Sequence, residues 1–205
     1  MIASLLLAAG ESRRMGFPKA LLAYPLPGGG ETTFLEHLLD VMNQSRAEPI
    51  LVVLGHEADR IESALPASAW GRARVLRNER YREGMLSSIA TGLAELEKLD
   101  EVQGALVHPV DHPDVTPEIV DLLIGRFRET GRPVVLPVHS GRRGHPVLFS
   151  RAVFPALRSA PASVGARQVV WDHREDLLEV EVPHPGVGRD VDTPADYRSF
   201  REGSS

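Results

Sequence analysis

A three-layer α/β domain, with helices on both faces of a mostly parallel central sheet, is the fold the sequence predicts. Short, mainly apolar runs recur at residues 3–7, 49–54 and 104–110, as strands covered on both faces require. Segments with apolar residues at helical spacing separate them, so strand and helix alternate. The runs end at small or acidic residues, at Gly10, Gly55 and Asp111. Ligands of open α/β sheets bind outside the carboxyl ends of the strands, which puts Gly10 and Asp111 on one rim.

Taken in order, residues 3–7 form the first buried strand, and it stops at Ala8-Ala9-Gly10. Residues 23–31 are a Pro/Gly turn, after which Thr32-Thr33 can cap a helix from 34 to about 44. Residues 49–54 make a second strand, 57–65 a short helix ended by Pro66, and 73–76 a third strand. Ser87-Ser88 are expected to cap a helix running through Leu96. The fourth strand, 104–110, delivers Asp111 at its end. A helix beginning at Thr116-Pro117-Glu118 reaches about 129, and 133–137 is a fifth strand. A Gly/Arg loop over 139–149 leads into a short strand, and 149–157 and 165–173 read as helical. Residues 177–182 alternate apolar and acidic, as a half-exposed strand does. Thr193-Pro194 starts a terminal helix. The expected domain is 1–202, with a disordered tail at 203–205.

Composition narrows the function. The chain has 205 residues and 42% hydrophobic content, enough for one large α/β domain with a real core. No apolar stretch is long enough to cross a membrane, and residues 4–7 are too short and wrongly flanked for a signal peptide. Absence of cysteine excludes disulfides, thiolate nucleophiles and Cys-ligated zinc, and makes a cytoplasmic setting the expectation. A net charge of -5, 5% aromatics and no lysine-rich block argue against a nucleic-acid partner. Lysine occurs only at 19 and 98, all other fixed cations being arginine. A compact ammonium at 19 therefore suggests a task that a planar guanidinium does not perform.

Residues 8–19 carry the chemistry. A tight turn of tiny residues lets backbone N–H groups approach an anion, and Arg13, Arg14 and Lys19 stand beside it. Neither common phosphate loop fits: Met15 replaces the second glycine of a P-loop, and Ser12 and Met15 break the dinucleotide fingerprint. Asp111 and Asp192, each in a loop after an apolar strand, mean little alone. Beside a cationic phosphate loop they suggest Mg2+, which takes one or two carboxylates plus substrate phosphates.

The stretch LAAGESRRMGFPKALL closely resembles the signature of MobA-like nucleotidyltransferases, with Ser12 where many members have Gly. Three further motifs follow in family order: Asn78, Gly84, Met85, Ser88, Ile89 and Gly92; then Gly144-His145-Pro146; then residues 190–197, DVDTPADY. The resemblance spans nearly the whole chain. It implies a Rossmann-like domain of the nucleotide-diphosphosugar-transferase kind that attaches a nucleoside monophosphate to an acceptor phosphate and releases pyrophosphate. Leu7, Ala8, Ala9, Gly10, Gly84 and Ser88 would contact the nucleotide, Arg14 and Lys19 would act on phosphate charge, and Asp111 and Asp192 would hold Mg2+. His145 would lie on the acceptor side, although a lone histidine in such a turn is otherwise structural. No general base is required, because an acceptor phosphate is already ionised.

The LAAG form and the G-H-P loop look most like the molybdenum cofactor cytidylyltransferase (MocA-like) branch, which implies CTP over GTP and a molybdopterin-like acceptor. A bulkier Ala9, where guanylyl relatives have Gly, would crowd a purine. His112 departs from the Gln frequent at its position. A molybdoenzyme or its maturation factor is a further partner the resemblance allows. The alternatives are a guanylyl or sugar-phosphate nucleotidyltransferase of the same fold, and a catalytically silent nucleotide-binding partner in molybdoenzyme maturation.

Overall fold

The structure, a computed structural model, describes residues 1–203. Strand β1 (Ile2–Ala8) lies inside the sheet with every one of its residues buried. It pairs in parallel with β4 (Ile50–Leu54) on one side and with β6 (Gly104–Pro109) on the other. Between them in sequence come the small hairpin β2 (Ala23–Pro25) and β3 (Glu31–Thr33), helices α1 (Phe34–Gln44), α2 (Ala58–Ala64) and α3 (Ala67–Trp70), strand β5 (Arg74–Arg77) and helix α4 (Met85–Leu96). After β6 follow α5 (Pro117–Thr130), β7 (Val134–His139), β8 (Arg142–Arg143), β9 (Val147–Ser150), α6 (Phe154–Ser159), α7 (Arg167–Asp172), β10 (Leu178–Glu181) and α8 (Pro194–Gly203).

The main sheet runs β10-β7-β9-β6-β1-β4-β5, with β8 attached to β7. Within this sheet, among the described residues, only β9 and β8 run antiparallel to their neighbours, and the separate β2–β3 hairpin is antiparallel as well. Alternation along β1 divides the core. Ile2, Leu6 and Ala8 face the layer containing α1 and α5, whereas Ala3, Leu5, Leu7 and Ala9 face the layer of α4, α6 and α7. The expected single α/β domain with a mostly parallel sheet is therefore the observed one.

Helix packing on the second face is close. A Cβ on Gly92 of α4 would lie 2.2 Å from Leu5 Cδ1, so only glycine lets this helix approach β1. Three local expectations fail. Residues 149–150 belong to β9, because Phe149 pairs with both Ala105 and Val134 in the sheet interior, and α6 starts only at Phe154. Ser87 and Ser88 do not cap α4; Gly84 occupies that position without a side-chain bond. Helix α8 continues through Gly203, into the tail expected to be disordered, while residues 204–205 lie outside the described residues. No described helix is long and apolar enough to cross a membrane.

Candidate functional site

The polar turn after β1 is built to present Lys19. Ser12 has φ 51°, a left-handed conformation that glycine adopts most easily, and its carbonyl accepts from the N–H groups of Met15 and Gly16. Its hydroxyl accepts from the Lys19 backbone N–H at 3.2 Å. The chain thus doubles back, and Lys19 returns to the carboxyl ends of β1 and β6. Gly10 borders the same space, and a Cβ there would meet no atom within 4 Å.

Asp111 follows β6, whose pairing with β1 is extended by the Val110 N–H bonding the Leu7 carbonyl at 3.0 Å. Asp192 arrives from the far end of the chain. Its segment is tied down where the Val191 N–H donates to the Asp111 carbonyl at 2.9 Å. Asp196 then fixes the start of α8: its Oδ2 accepts from the N–H groups of Asp192 and Thr193 and from the Thr193 hydroxyl, while the Thr193 hydroxyl accepts from the Asp196 N–H. This reciprocal cap leaves the Asp192 carboxylate free to face inward.

Both carboxylates converge on one cation. The Lys19 ammonium lies 3.0 Å from Asp111 Oδ2 and also pairs with Asp192 Oδ1, while Arg14 reaches Asp192 Oδ2 at 2.7 Å. Burial alone would raise the Asp192 carboxyl, but Lys19 and Arg14 outweigh it and hold it below the ordinary value. Asp111 Oδ1 is buried with no hydrogen-bond partner. Among the described residues no cluster of three or more His, Asp or Glu could hold a metal ion. A cation on Asp111 and Asp192 would need its remaining ligands from water or substrate.

The opposite wall comes from the start of α4. Gly84 has φ 99° and ψ -178°, open in practice only to glycine. Buried Asn78 donates to the hydroxyls of Ser87 and Ser88 at 2.8 and 3.0 Å, and its Oδ1 accepts from the Arg80 N–H. Ser88 is thereby a positioned wall residue inside the helix. A cavity of about 460 Å3 lies between this wall and the turn, lined by Leu7 to Gly10, Arg14, Lys19, Gly84, Ser88, Asp111 and Asp192. Every expected nucleotide, phosphate and carboxylate residue faces it.

His145 is elsewhere, on a second cavity of about 720 Å3. That cavity has an apolar wall from Ile89, Leu136, Phe149, Val170 and Trp171, and cations from Arg143 and Arg167. The His145 ring packs 4.3 Å from that of His112. Burial pushes His145 down to about 3, and it lowers His112 and the fully buried His108 as well. The two cavities share Arg14, Met85, Pro109, Asp111 and Asp192.

Several lining residues escape the sequence patterns. Tyr81 and Arg82 face the first cavity, where Arg82 pairs with Glu11 across its mouth. Residues 162–167 and Trp171 close the second. Their only signal is the concentration of Gly and Arg in neighbouring loops, which does not say which cavity each would join.

Comparison with known proteins follows the same lines. A family profile described as "MobA-like NTP transferase domain" matches residues 4–177. The chain is 31% identical over 202 residues to a probable molybdenum cofactor guanylyltransferase of Mycobacterium marinum (strain ATCC BAA-535 / M), covering 96% of this chain and 94% of that one. Among solved structures, Rv0371c from Mycobacterium tuberculosis H37Rv has a TM-score of 0.79 at 28% identity, with 98% of both chains covered. A complex of Rv0371C with manganese gives 0.76 at 28% identity, again over 98% of both chains. The guanylyl name of the M. marinum relative does not support the cytidylyl branch expected from the LAAG and G-H-P motifs.

Proposed function

The chain belongs to the MobA-like NTP transferase domain family, and from that premise we propose that it transfers a nucleoside monophosphate from an NTP to the phosphate of a molybdopterin-like acceptor. The observation that carries this reading is the shared wall. Two cavities meet at Arg14, Asp111 and Asp192, so a donor in one and an acceptor in the other would touch where the charges are concentrated. The apolar wall with Trp171 suits a flat heteroaromatic acceptor better than a sugar phosphate.

In this reading the triphosphate lies against the backbone of Ala8, Ala9 and Gly10, with Lys19 and Arg14 offsetting its charge. An acceptor phosphate oxygen attacks the α-phosphorus. The bond from that phosphorus to the bridging oxygen breaks, and pyrophosphate leaves with the electron pair. The acceptor is already ionised, so no protein base is needed, and burial holds His108, His112 and His145 below the usual imidazole value, which makes each a weak proton acceptor.

Asp111 and Asp192 fit a divalent cation. Two carboxylates converge, one buried carboxylate oxygen lacks a hydrogen-bond partner, and substrate phosphates could complete the set. When bound, Mg2+ would supply charge neutralisation at the transferred and leaving phosphates. The manganese complex of the M. tuberculosis relative supports such an ion.

The donor base is taken as guanine, on the name of the M. marinum relative. The steric case for CTP weakens, because Ala9 is only 4% exposed and packs in the core beside Gly55. Pyrophosphate release with GTP and with CTP tests both levels. GTP is expected to be favoured by about tenfold or more. Preference for CTP would restore the cytidylyl choice, and no release with either nucleotide would refute transfer.

A further inference from the structure

Lys19 places its ammonium between the two carboxylates that a shared divalent cation would have to bridge. Its side chain is 11% exposed, and its ammonium bridges carboxylates from the middle and the end of the chain. Arg14 cannot replace it, being 69% exposed and, among the described residues, in an ion pair with Asp192 but not with Asp111. Mg2+ takes carboxylate oxygens at about 2.0–2.1 Å. An ammonium on Asp111 Oδ2 and Asp192 Oδ1 therefore blocks an ion from bridging that same pair of oxygens.

We propose that, without nucleotide, Lys19 is a built-in counter-ion that holds Asp111 and Asp192 together and competes with the divalent cation, so that metal enters with the nucleotide. The idea rests on the nucleotidyl-transfer reading above. The Lys19 backbone is anchored through Ser12, whereas a lysine's flexible four-carbon stem allows its ammonium to be re-aimed. Lys19 also lines the cavity assigned to the triphosphate. Phosphate oxygens draw the ammonium off the carboxylates and at the same time offer the ion its missing ligands. Linkage makes the effect reciprocal: nucleotide and metal strengthen each other's binding by one common factor. Replacing Lys19 by a neutral residue removes the competitor, raises metal affinity without nucleotide and shrinks that factor.

Because the chain contains only two lysines, 13C labelling at lysine Cε gives two side-chain signals, with exposed Lys98 as internal reference. Mg2+ with an α,β-methylene GTP or CTP analogue should move the Lys19 signal and leave Lys98 in place. Mg2+ alone should need a concentration about tenfold higher or more to do the same. In parallel, Mn2+ binding to nucleotide-free protein is measured by electron paramagnetic resonance. Lys19→Met should bind Mn2+ about tenfold more tightly than the unsubstituted protein, and Arg14→Met, with the same charge change, clearly less so. Equal Mn2+ affinity in Lys19→Met and the unsubstituted protein would overturn the proposal. So would a Lys19 signal that answers Mg2+ equally with and without nucleotide, and this measurement stands even if Lys19→Met fails to fold. Asp111→Asn added to Lys19→Met separates the two readings. If it leaves Mn2+ binding unchanged, the carboxylate metal site itself is wrong. If it abolishes binding while the Lys19 comparison fails, only the counter-ion proposal is lost.

Discussion

Asp111 and Asp192 reach the same ammonium but are held differently. Asp111 is delivered by a buried strand and keeps one buried oxygen without a hydrogen-bond partner; Asp192 hangs from a capped helix start. Either Asp→Asn change should lower turnover by roughly a hundredfold, and the double variant should lose far less than the product of the two, because both act on one unit. Rates measured against Mg2+ concentration for the three variants decide this, and unchanged Mg2+ dependence in a single variant removes that residue from the site. Asp196→Asn keeps an amide oxygen that can accept from the Asp192 and Thr193 N–H groups and should behave almost normally, while Asp196→Ala removes the acceptor and should loosen Asp192, seen as a fall in turnover. Lys19→Ala should reduce turnover by about 10²–10³-fold and Lys19→Arg should recover part of it. Full activity in Lys19→Ala would make this lysine a purely structural partner. The motif spacing marked all these residues; it could not indicate that the lysine lies between the carboxylates.

At the scale of the element, the start of α4 shows where local rules mislead. Two adjacent serines beside a glycine read as a cap, yet the helix begins two residues earlier and the hydroxyls bond Asn78 inside the fold. A cap is a local bond, but here a buried amide from the segment after β5 competes for it and wins. Gly84→Ala should therefore strain the entry to α4 by about 1–3 kcal/mol and raise the KM for nucleotide. Urea unfolding and steady-state rates test both parts, and normal values for each would show that the turn relaxes. Gly92→Ala should be destabilising by about 1–3 kcal/mol through the clash with Leu5, with KM little changed.

For the whole molecule, buried histidines set the acid limit. Burial lowers His108 well below its usual value and His145 to about 3, and His37 and His112 shift the same way. Above about pH 6.5, the unfolded-state value, these rings are neutral in both states and stability is complete. As pH falls below it, the unfolded chain binds protons that the native state refuses. Stability should then drop by up to about 1.4 kcal/mol per pH unit for each histidine, and for His145 the loss continues towards about 3. Denaturant midpoints at pH 7.5 and 5 should show this fall, with a smaller slope in His145→Gln. A flat profile would mean that water reaches the cluster.

The sequence by itself determined the layered fold and the rim on which Gly10 and Asp111 lie. Apolar runs on strands and the small-residue turn after β1 follow from neighbours within a few positions, and the strand ends place Gly10 and Asp111 on one rim. The family motifs added Asp192, too distant in the chain for any local rule to join to Asp111. Only the tertiary structure decided the rest: the Lys19 bridge, the Asn78 bonds to α4 and the second cavity closed by residues 162–167 and Trp171. Each depends on groups from separate elements meeting beyond the carboxyl ends of the strands, and which polar group wins a shared partner there is fixed by distance and burial after the chain has packed.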